Sequence, residues 1–303
     1  MPVNKIKGGD DILADQQNNL TEQHGLLAQR QTGFCVVRVR TRAGNITSNQ
    51  LHKVAELADK YGRGQLHFTT RQSVEMYWVP EGQLGAVLQE IDDAGLLPAI
   101  RGPRMRTVVA CPGALLCKYG MCDTIALATH LDKSVVGRKL PTKTKIGISG
   151  CPNSCSKPQE NDIGLQGVML PKVVDGCVGC RACLHACKVK AIAVQNCTPR
   201  IDFRKCVGCG LCVTECPKNV FLADKQGYRV YVGGRIGKKP KLGTKILALI
   251  PEMDAYSYIQ TILDAYESFS NQGERISDVV KRLGIVAFRQ ETLNKMFPKK
   301  MLD

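Results

Sequence analysis

CVGCRACLHACKVKAIAVQNCTPRIDFRKCVGCGLCVTECP (177–217) carries nine cysteines, eight of them in two runs of one form, C-x2-C-x2-C-x3-C. The first run is Cys177, Cys180, Cys183 and Cys187; the second is Cys206, Cys209, Cys212 and Cys216. They start 29 residues apart and form an internal repeat. Three thiols set so close, with a fourth shortly after, suit an iron–sulfur cubane. Zinc prefers paired C-x2-C knuckles about a dozen or more residues apart. Four further cysteines form a split set, Cys111 with Cys117 (C-x5-C) and Cys151 with Cys155 (C-x3-C). Spacing alone leaves that set open between a third cluster and a zinc site. Twelve of the fifteen cysteines are thereby placed. Thiolate donors at this density, in an otherwise ordinary composition, imply redox chemistry.

Outward from the runs the texture is that of packed α and β segments. Residues up to about Thr32 are polar and weakly periodic and read as a surface arm. Cys35 to Arg40 (CVVRVR) alternates as a strand. Ser48 is placed to cap a helix with the apolar stripe Leu51, Val54, Leu57 and Tyr61, ending at Gly62. Strands are expected at Leu66 to Thr70 and Val74 to Val79, a helix at Gln83 to Ala94, and a returning strand at Thr107 to Ala110. That β-α-β-β-α-β order is a ferredoxin-like split unit. A helix at Asp123 to Leu131 and a strand at Lys145 to Ser149 separate the halves of the split set, with another strand at Ile163 to Leu170. After the runs, Tyr228 to Val232 reads as a strand, and helices are expected at Asp254 to Phe269 and Glu274 to Leu283. The cysteine repeat therefore looks inserted into another domain. The fold class is α+β: arm 1–32, ferredoxin-like half-domain 33–100, a second α/β domain in two parts (101–170 and 218–303), and a ferredoxin insertion 171–217 between them.

The two runs resemble the bacterial ferredoxin pattern, in which the fourth cysteine serves the other cluster. One [4Fe–4S] cluster would use Cys177, Cys180, Cys183 and Cys216, the other Cys206, Cys209, Cys212 and Cys187. The usual trailing proline is present as Pro217, but Lys188 stands in its place after Cys187. Four other segments, VRVRTRAGNI (37–46), YGRGQLHFTTRQSVEM (61–76), VVACPGALLC (108–117) and GISGCPNSCSKPQENDIGLQG (147–167), resemble the siroheme-dependent sulfite and nitrite reductases. QGYRVYVGGRIG (226–237) is similar to the strand that follows in that family. The resemblance covers nearly all of the chain from Phe34 onward, and a ferredoxin unit inserted after the second cysteine pair is similar to the anaerobic and dissimilatory sulfite reductase branch.

The resemblance implies a third [4Fe–4S] cluster on Cys111, Cys117, Cys151 and Cys155, with Cys155 also bridging to the siroheme iron. It implies cationic residues around the open face of that iron: Arg40, with Arg38 beside it on the same strand face, Arg71 at the end of the TTRQ strand, and Lys143 and Lys145 in LPTKTKIG. Guanidinium and ammonium groups neutralise a small oxyanion, bind its oxygens and help deliver protons. Without the family pattern, alternating Arg and Lys on edge strands read as solvent-facing charge. Arg101, Arg104, Arg106 and Asn153 are candidate siroheme contacts, with Lys157 also flanking Cys155. Cys35, Cys122 and Cys197 fall outside the three sets and read as idle thiols. VGGRIG (232–237) lacks the G-x-G-x-x-G spacing, so a dinucleotide loop is discounted.

A net charge of +15 invites a nucleic-acid reading. Three clusters with their thiolates carry roughly −2 each, and a carboxylate-rich tetrapyrrole about −8, which brings the loaded protein near neutrality. The expected partners are sulfite or a similar oxyanion and a low-potential electron donor, either a ferredoxin-like carrier or a flavin subunit. A second copy or a related subunit is also expected, because the family often pairs two half-modules and this chain has one. Nucleic acid and membrane are not expected partners. No apolar run approaches the roughly 20 residues of a membrane span and the N-terminus lacks a signal-peptide core, so the expected location is the cytoplasm, with reduced thiols that bind metal. The leading expectation is six-electron reduction of sulfite to sulfide. The alternatives are nitrite reduction to ammonia and a non-catalytic electron-transfer subunit that has lost siroheme.

Overall fold

A computed structural model describes residues 25–296, so the expected arm falls outside the described residues over 1–24. The described chain divides into two compact units, residues 25–107 with 134–143, and residues 108–133 with 144–296.

The first unit is a sheet with two helices. β1 (Leu26–Ala28) and β2 (Phe34–Arg40) pair antiparallel. Helix α1 (Ser48–Tyr61) follows, then β3 (Leu66–Phe68), β4 (Ser73–Pro80), helix α2 (Leu84–Asp93) and β5 (Leu97–Pro98). The strand order is β1-β2-β4-β3, and β5 shares the free edge of β2 with β1. Two expectations change here. The surface arm is too long by one strand: β1 lies in the sheet, with Leu26 buried. The closing strand of the β-α-β-β-α-β order is Leu97–Pro98, because the Thr107–Ala110 segment yields only Val109–Ala110, which joins the other sheet.

Periodicity explains the core of this unit. Alternation in β2 buries Val37 and Val39, and the helix stripes bury Val54, Leu57, Val87 and Ile91 against Val74 and Met76. Each such side chain contributes about 1.5–3 kcal/mol by burial. The cap of α1 is Thr47, not Ser48: its side chain accepts from Gln50 N while Gln50 returns a bond to Thr47 N, a reciprocal box at one residue's remove. The two helices are tied by Glu90, which accepts from Tyr61 Oη at 2.6 Å, Lys60 Nζ at 2.7 Å and Lys53 Nζ at 3.1 Å.

The second unit is built on a mixed sheet. β6 (Val109–Ala110) leads through α3 (Gly113–Leu116) and α4 (Thr124–Ser134) to β7 (Ile146–Ser149) and β8 (Ile163–Val173). Then comes the cysteine repeat with α5 (Ala182–Ala186), the hairpin β9 (Ile192–Gln195) and β10 (Thr198–Ile201), and α6 (Leu211–Thr214). β11 (Phe221–Val232) and β12 (Thr244–Ile250) complete the sheet, and α7 (Ala255–Phe269), α8 (Ile276–Leu283) and α9 (Ile285–Met296) close the described chain. The order is β12-β11-β8-β7-β6, with β6, β7 and β8 parallel and the rest antiparallel. β8 and β11 form a long ribbon from Ile163↔Val232 to Val173↔Phe221, and the cysteine repeat occupies its far end. Sequence periodicity found less than half of β11 and missed β12 and α9. Residues 222–226 are all exposed, so no buried face alternates through them. Among the described residues, no helix is long and apolar enough to cross a membrane.

Lys60, then Tyr61 and Lys53, hold the Glu90 carboxyl down to about 2. Its folded pKa lies below the unfolded value of about 4.3, so its contribution to stability is present above that pH and is lost as pH falls toward 2. Urea unfolding from pH 6 to 2 should show a shallower acid loss of stability in Glu90→Gln than in the unmutated protein. Parallel acid limbs would remove Glu90 from the account.

Candidate metal centre

The split cysteines meet because two parallel strands end side by side. β6 and β7 pair through Val109↔Gly147 and Ala110↔Ile148, so Cys111 and the Gly150–Cys151 step leave the sheet from the same edge. The Cys111 amide donates to Ile148 O at 3.1 Å, and Cys111 Sγ accepts from Gly150 N at 3.2 Å. Glycines allow the close approach. A Cβ on Gly150 would stand 2.8 Å from Gly113 Cα, and one on Gly167 would stand 2.2 Å from Gly150 O. Gly113 has φ +57, and a Cβ there would lie 2.3 Å from Thr124 Oγ1. Cys117 caps the short α3.

Burial pushes the Cys151 thiol up, the Asn153 backbone opposes this, and the neighbouring Cys111, Cys117 and Cys155 thiols push it up further. All four members of the split set are therefore neighbours. Cys155 is the exposed one. Ser154 and Lys157, on either side of it, take positive φ, and Ser156 N donates to Ser149 Oγ at 3.0 Å. Gln166 Nε2 braces this loop through Ser154 Oγ at 2.7 Å.

The repeat of the inserted segment extends to its backbone. Gly179 and Gly208, Arg181 and Gly210, and Lys190 and Asn219 all have positive φ, each pair at the spacing of the cysteine runs. Ala191 N donates to Cys187 Sγ at 3.2 Å, and Val220 N makes the same bond to Cys216 Sγ at 3.4 Å. The fourth thiols are crossed. Burial pushes Cys183 up, and the nearby thiols that add to it are Cys216 and Cys177. Cys212 is pushed up to about 12 by burial and then by Cys206, Cys209 and Cys187. Cys216 lies below the usual thiol value because the amides of Val220, Lys218, Phe221 and Asn219 outweigh its burial.

Groups of thiols that would repel one another as thiolates suit a cationic iron–sulfur core, and amide bonds to sulfur stabilise the charged form. The donor sets therefore fit such clusters. Among the described residues, no three His, Cys, Asp or Glu side chains are arranged to hold a single metal ion.

The cationic candidates divide between the units. Arg40, Arg71 and Lys143 belong to the first and Lys145 to the second. Arg38 pairs across β2 and β4 with Glu75 at 2.5 Å, whereas Arg40 Nε donates to Pro98 O at 3.2 Å. Arg71 lies in the β3–β4 turn rather than at a strand end, since β3 stops at Phe68, and it donates to Thr107 O. Lys143 and Lys145 precede β7 instead of sharing a strand. Lys145 N donates to Asp162 Oδ2 at 3.0 Å. Asp162 is buried and is bound also by Arg275 Nη2 at 2.6 Å. Arg101 donates to Leu26 O, Arg104 to Gly137 O at 3.0 Å, and Arg106 to Ile100 O at 2.9 Å and Gly102 O at 3.0 Å. Asn153 is exposed. Sequence reasoning missed Asp162, Gln166, Arg229 and Arg275, whose roles come from pairing between distant segments and leave no spacing to read.

Residues 101–301 match the nitrite and sulphite reductase 4Fe-4S domain, and residues 27–94 match the nitrite/sulfite reductase ferredoxin-like half domain. The coenzyme F420-dependent sulfite reductase of Methanocaldococcus jannaschii is 33% identical over 91% of this chain and 45% of its own length. This chain thus spans about half of that relative. An anaerobic sulfite reductase subunit of Salmonella typhimurium is 33% identical over 78% of this chain and 74% of its own. Among solved structures, dissimilatory sulfite reductase I superposes with TM-score 0.70 at 19% identity, over 86% of this chain and 69% of that one. Two parallel strands, a glycine-packed split cysteine set and a half-domain of ferredoxin-like order are thus the local form of a wider pattern: the chain belongs to the nitrite and sulfite reductase family.

Proposed function

We propose that the protein is a siroheme-dependent sulfite reductase that reduces sulfite to sulfide with six electrons. The observation that carries this reading is the grouping of Cys111, Cys117, Cys151 and Cys155, with Cys155 exposed while Cys151 is buried. One buried thiol, two half-buried ones and one exposed suit a cluster whose last ligand serves a second metal. Cys155 is the proposed bridge to siroheme, and the crossed sets in 177–216 are proposed to hold two further [4Fe–4S] clusters. When bound, these groups supply one-electron transfer and an open iron coordination position.

The side chains do the rest. Arg40, Arg71, Lys143 and Lys145 are proposed to neutralise the anion, bind its oxygens and deliver protons as oxygen leaves as water. Of the two arginines on β2, Arg40 is proposed to meet the anion, and Arg38 pairs with Glu75. Arg38, Arg101, Arg104 and Arg106 would then contribute positive potential toward siroheme carboxylates, and Asn153 a polar contact beside Cys155. Asp162 fixes the backbone at Lys145 and thereby the origin of its side chain. The proposal is completed by a low-potential donor and by pairing with a second copy or a related subunit.

The test is an optical spectrum of anaerobically purified protein with quantified iron, sulfide and siroheme, followed by turnover of sulfite and nitrite with a reduced viologen. Tetrapyrrole bands with faster sulfite turnover are expected. Clusters that never acquire the pigment would defeat the proposal, and faster nitrite turnover would reassign the substrate.

Lys145→Met should keep the spectrum and lower kcat by about 100- to 1,000-fold, the cost of removing one charge-stabilising donor. Loss of siroheme in that variant would make Lys145 a cofactor-binding residue instead. In Cys155→Ser both the third cluster and siroheme should be disturbed. Cys216→Ser should disrupt the cluster of Cys177, Cys180 and Cys183 and spare that of Cys206, Cys209 and Cys212. Iron counts and electron paramagnetic resonance on that variant separate crossed from uncrossed sets.

A further inference from the structure

The inserted segment is joined to the split-set loop by more than the ribbon that carries it. Met169, on β8, donates its amide to Gly208 O at 2.9 Å, and a parallel bridge pairs it with Cys209. Three residues earlier on the same strand, Gln166 is buried and faces Arg229 of β11 in register. Arg229 Nη1 donates to Gln166 Oε1 at 3.2 Å, and Tyr231 Oη donates to the same oxygen at 3.2 Å. The other end of that amide reaches Ser154 Oγ at 2.7 Å and Pro152 O at 3.5 Å, both inside the Cys151–Cys155 loop. Arg229 Nε is buried and has no hydrogen-bond partner among the described residues. Gly208, inside the second run, packs on Val168, where a Cβ would stand 3.1 Å from Val168 Cβ, and Val168 shares a strand face with Gln166, the partner of Arg229, so the guanidinium and the second run lie on one face of the ribbon.

A guanidinium that is always charged, half-buried between two thiol sets and bonded toward one of them, has an electrostatic consequence. Each electron added to a cluster adds a negative charge, and a nearby cation stabilises the reduced form more than the oxidised one. We propose that Arg229 couples the two metal sites of this unit. Its charge raises the reduction potential of the cluster that Cys187, Cys206, Cys209 and Cys212 would hold, and its bond through Gln166 to Ser154 fixes the loop bearing Cys155. One electron is gained and no bond is made or broken. Arg229 is thus a positioning residue that acts through its charge and through Gln166. The inference rests on the cluster assignment proposed above and not on the identity of the substrate.

The experiment is a potentiometric titration followed by electron paramagnetic resonance on anaerobic full-length protein, comparing the unmutated chain with Arg229→Met, Arg229→Gln and Arg229→Lys. In Arg229→Met one inserted-cluster potential should fall by about 59 mV, a tenfold change in its one-electron equilibrium, while the other stays. Arg229→Lys should recover most of the shift. Arg229→Gln keeps a hydrogen-bonding side chain and loses the charge, so it carries the same expectation should Arg229→Met fail to accumulate. Unchanged potentials in a charge-removing variant with full iron and sulfide would overturn the inference, as would equal shifts in the lysine and uncharged variants. Absence of siroheme bands or of sulfite turnover in the unmutated protein would defeat the proposed function while leaving this comparison intact.

Discussion

Close backbone approach at Gly113, Gly150 and Gly167 is the constraint on which the metal-binding unit depends. Cys111 and Cys151 can leave adjacent parallel strands as neighbours only if the chains behind them touch, and a single methyl group at Gly167 would already collide with the Gly150 carbonyl. The packing therefore fixes where the sulfur atoms stand before any metal arrives. Burial makes Cys151 and Cys212 resist ionisation, and a backbone amide offsets part of that cost at each. Cofactor chemistry here follows from sterics first and electrostatics second.

The two units carry different residue types on their strands. In the ferredoxin-like half-domain the outward face of β2 carries Arg38 and Arg40, with Val37 and Val39 packed inward. The second unit contributes thiols at the ends of strands, and Lys145 beside the buried Asp162–Arg275 pair. That ion pair links the start of β8 to the cap of α8, and Asp162 also accepts from the Lys145 amide just before β7. Removing one partner would strand a buried charge, a loss that typically exceeds the worth of the pair itself.

Much of this was legible in the sequence because cysteine spacing and strand alternation are local signals. The ferredoxin-like fold class and the helices α1, α2, α4, α7 and α8 all follow from residues near one another in the chain. The rest depended on partners far away. β1 looks like part of a polar arm because its pairing with β2 cannot be seen from three residues. The outer half of β11 is solvated, so its strand character comes only from β8. Thr47 outcompetes Ser48 as a cap because the matching Gln50 stands three residues after Thr47. Arg71 reads as a strand residue in the sequence, but the turn that carries Gln72 at φ +54 begins before it. Gln166 and Arg229 carry no motif at all, since a polar pair facing across a sheet has no signature in either strand alone.

The insertion leaves and rejoins the sheet at Val173 and Phe221, residues that face each other across one strand spacing, and Val174 N donates to Val220 O at 2.9 Å just beyond them. Its two ends thus meet the host as the two arms of an ordinary hairpin. Any compact module whose termini emerge about 4.8 Å apart and antiparallel satisfies the same geometry. The host sheet presents a socket, and the module seated in it is interchangeable in principle without a shift in the register of β8 against β11.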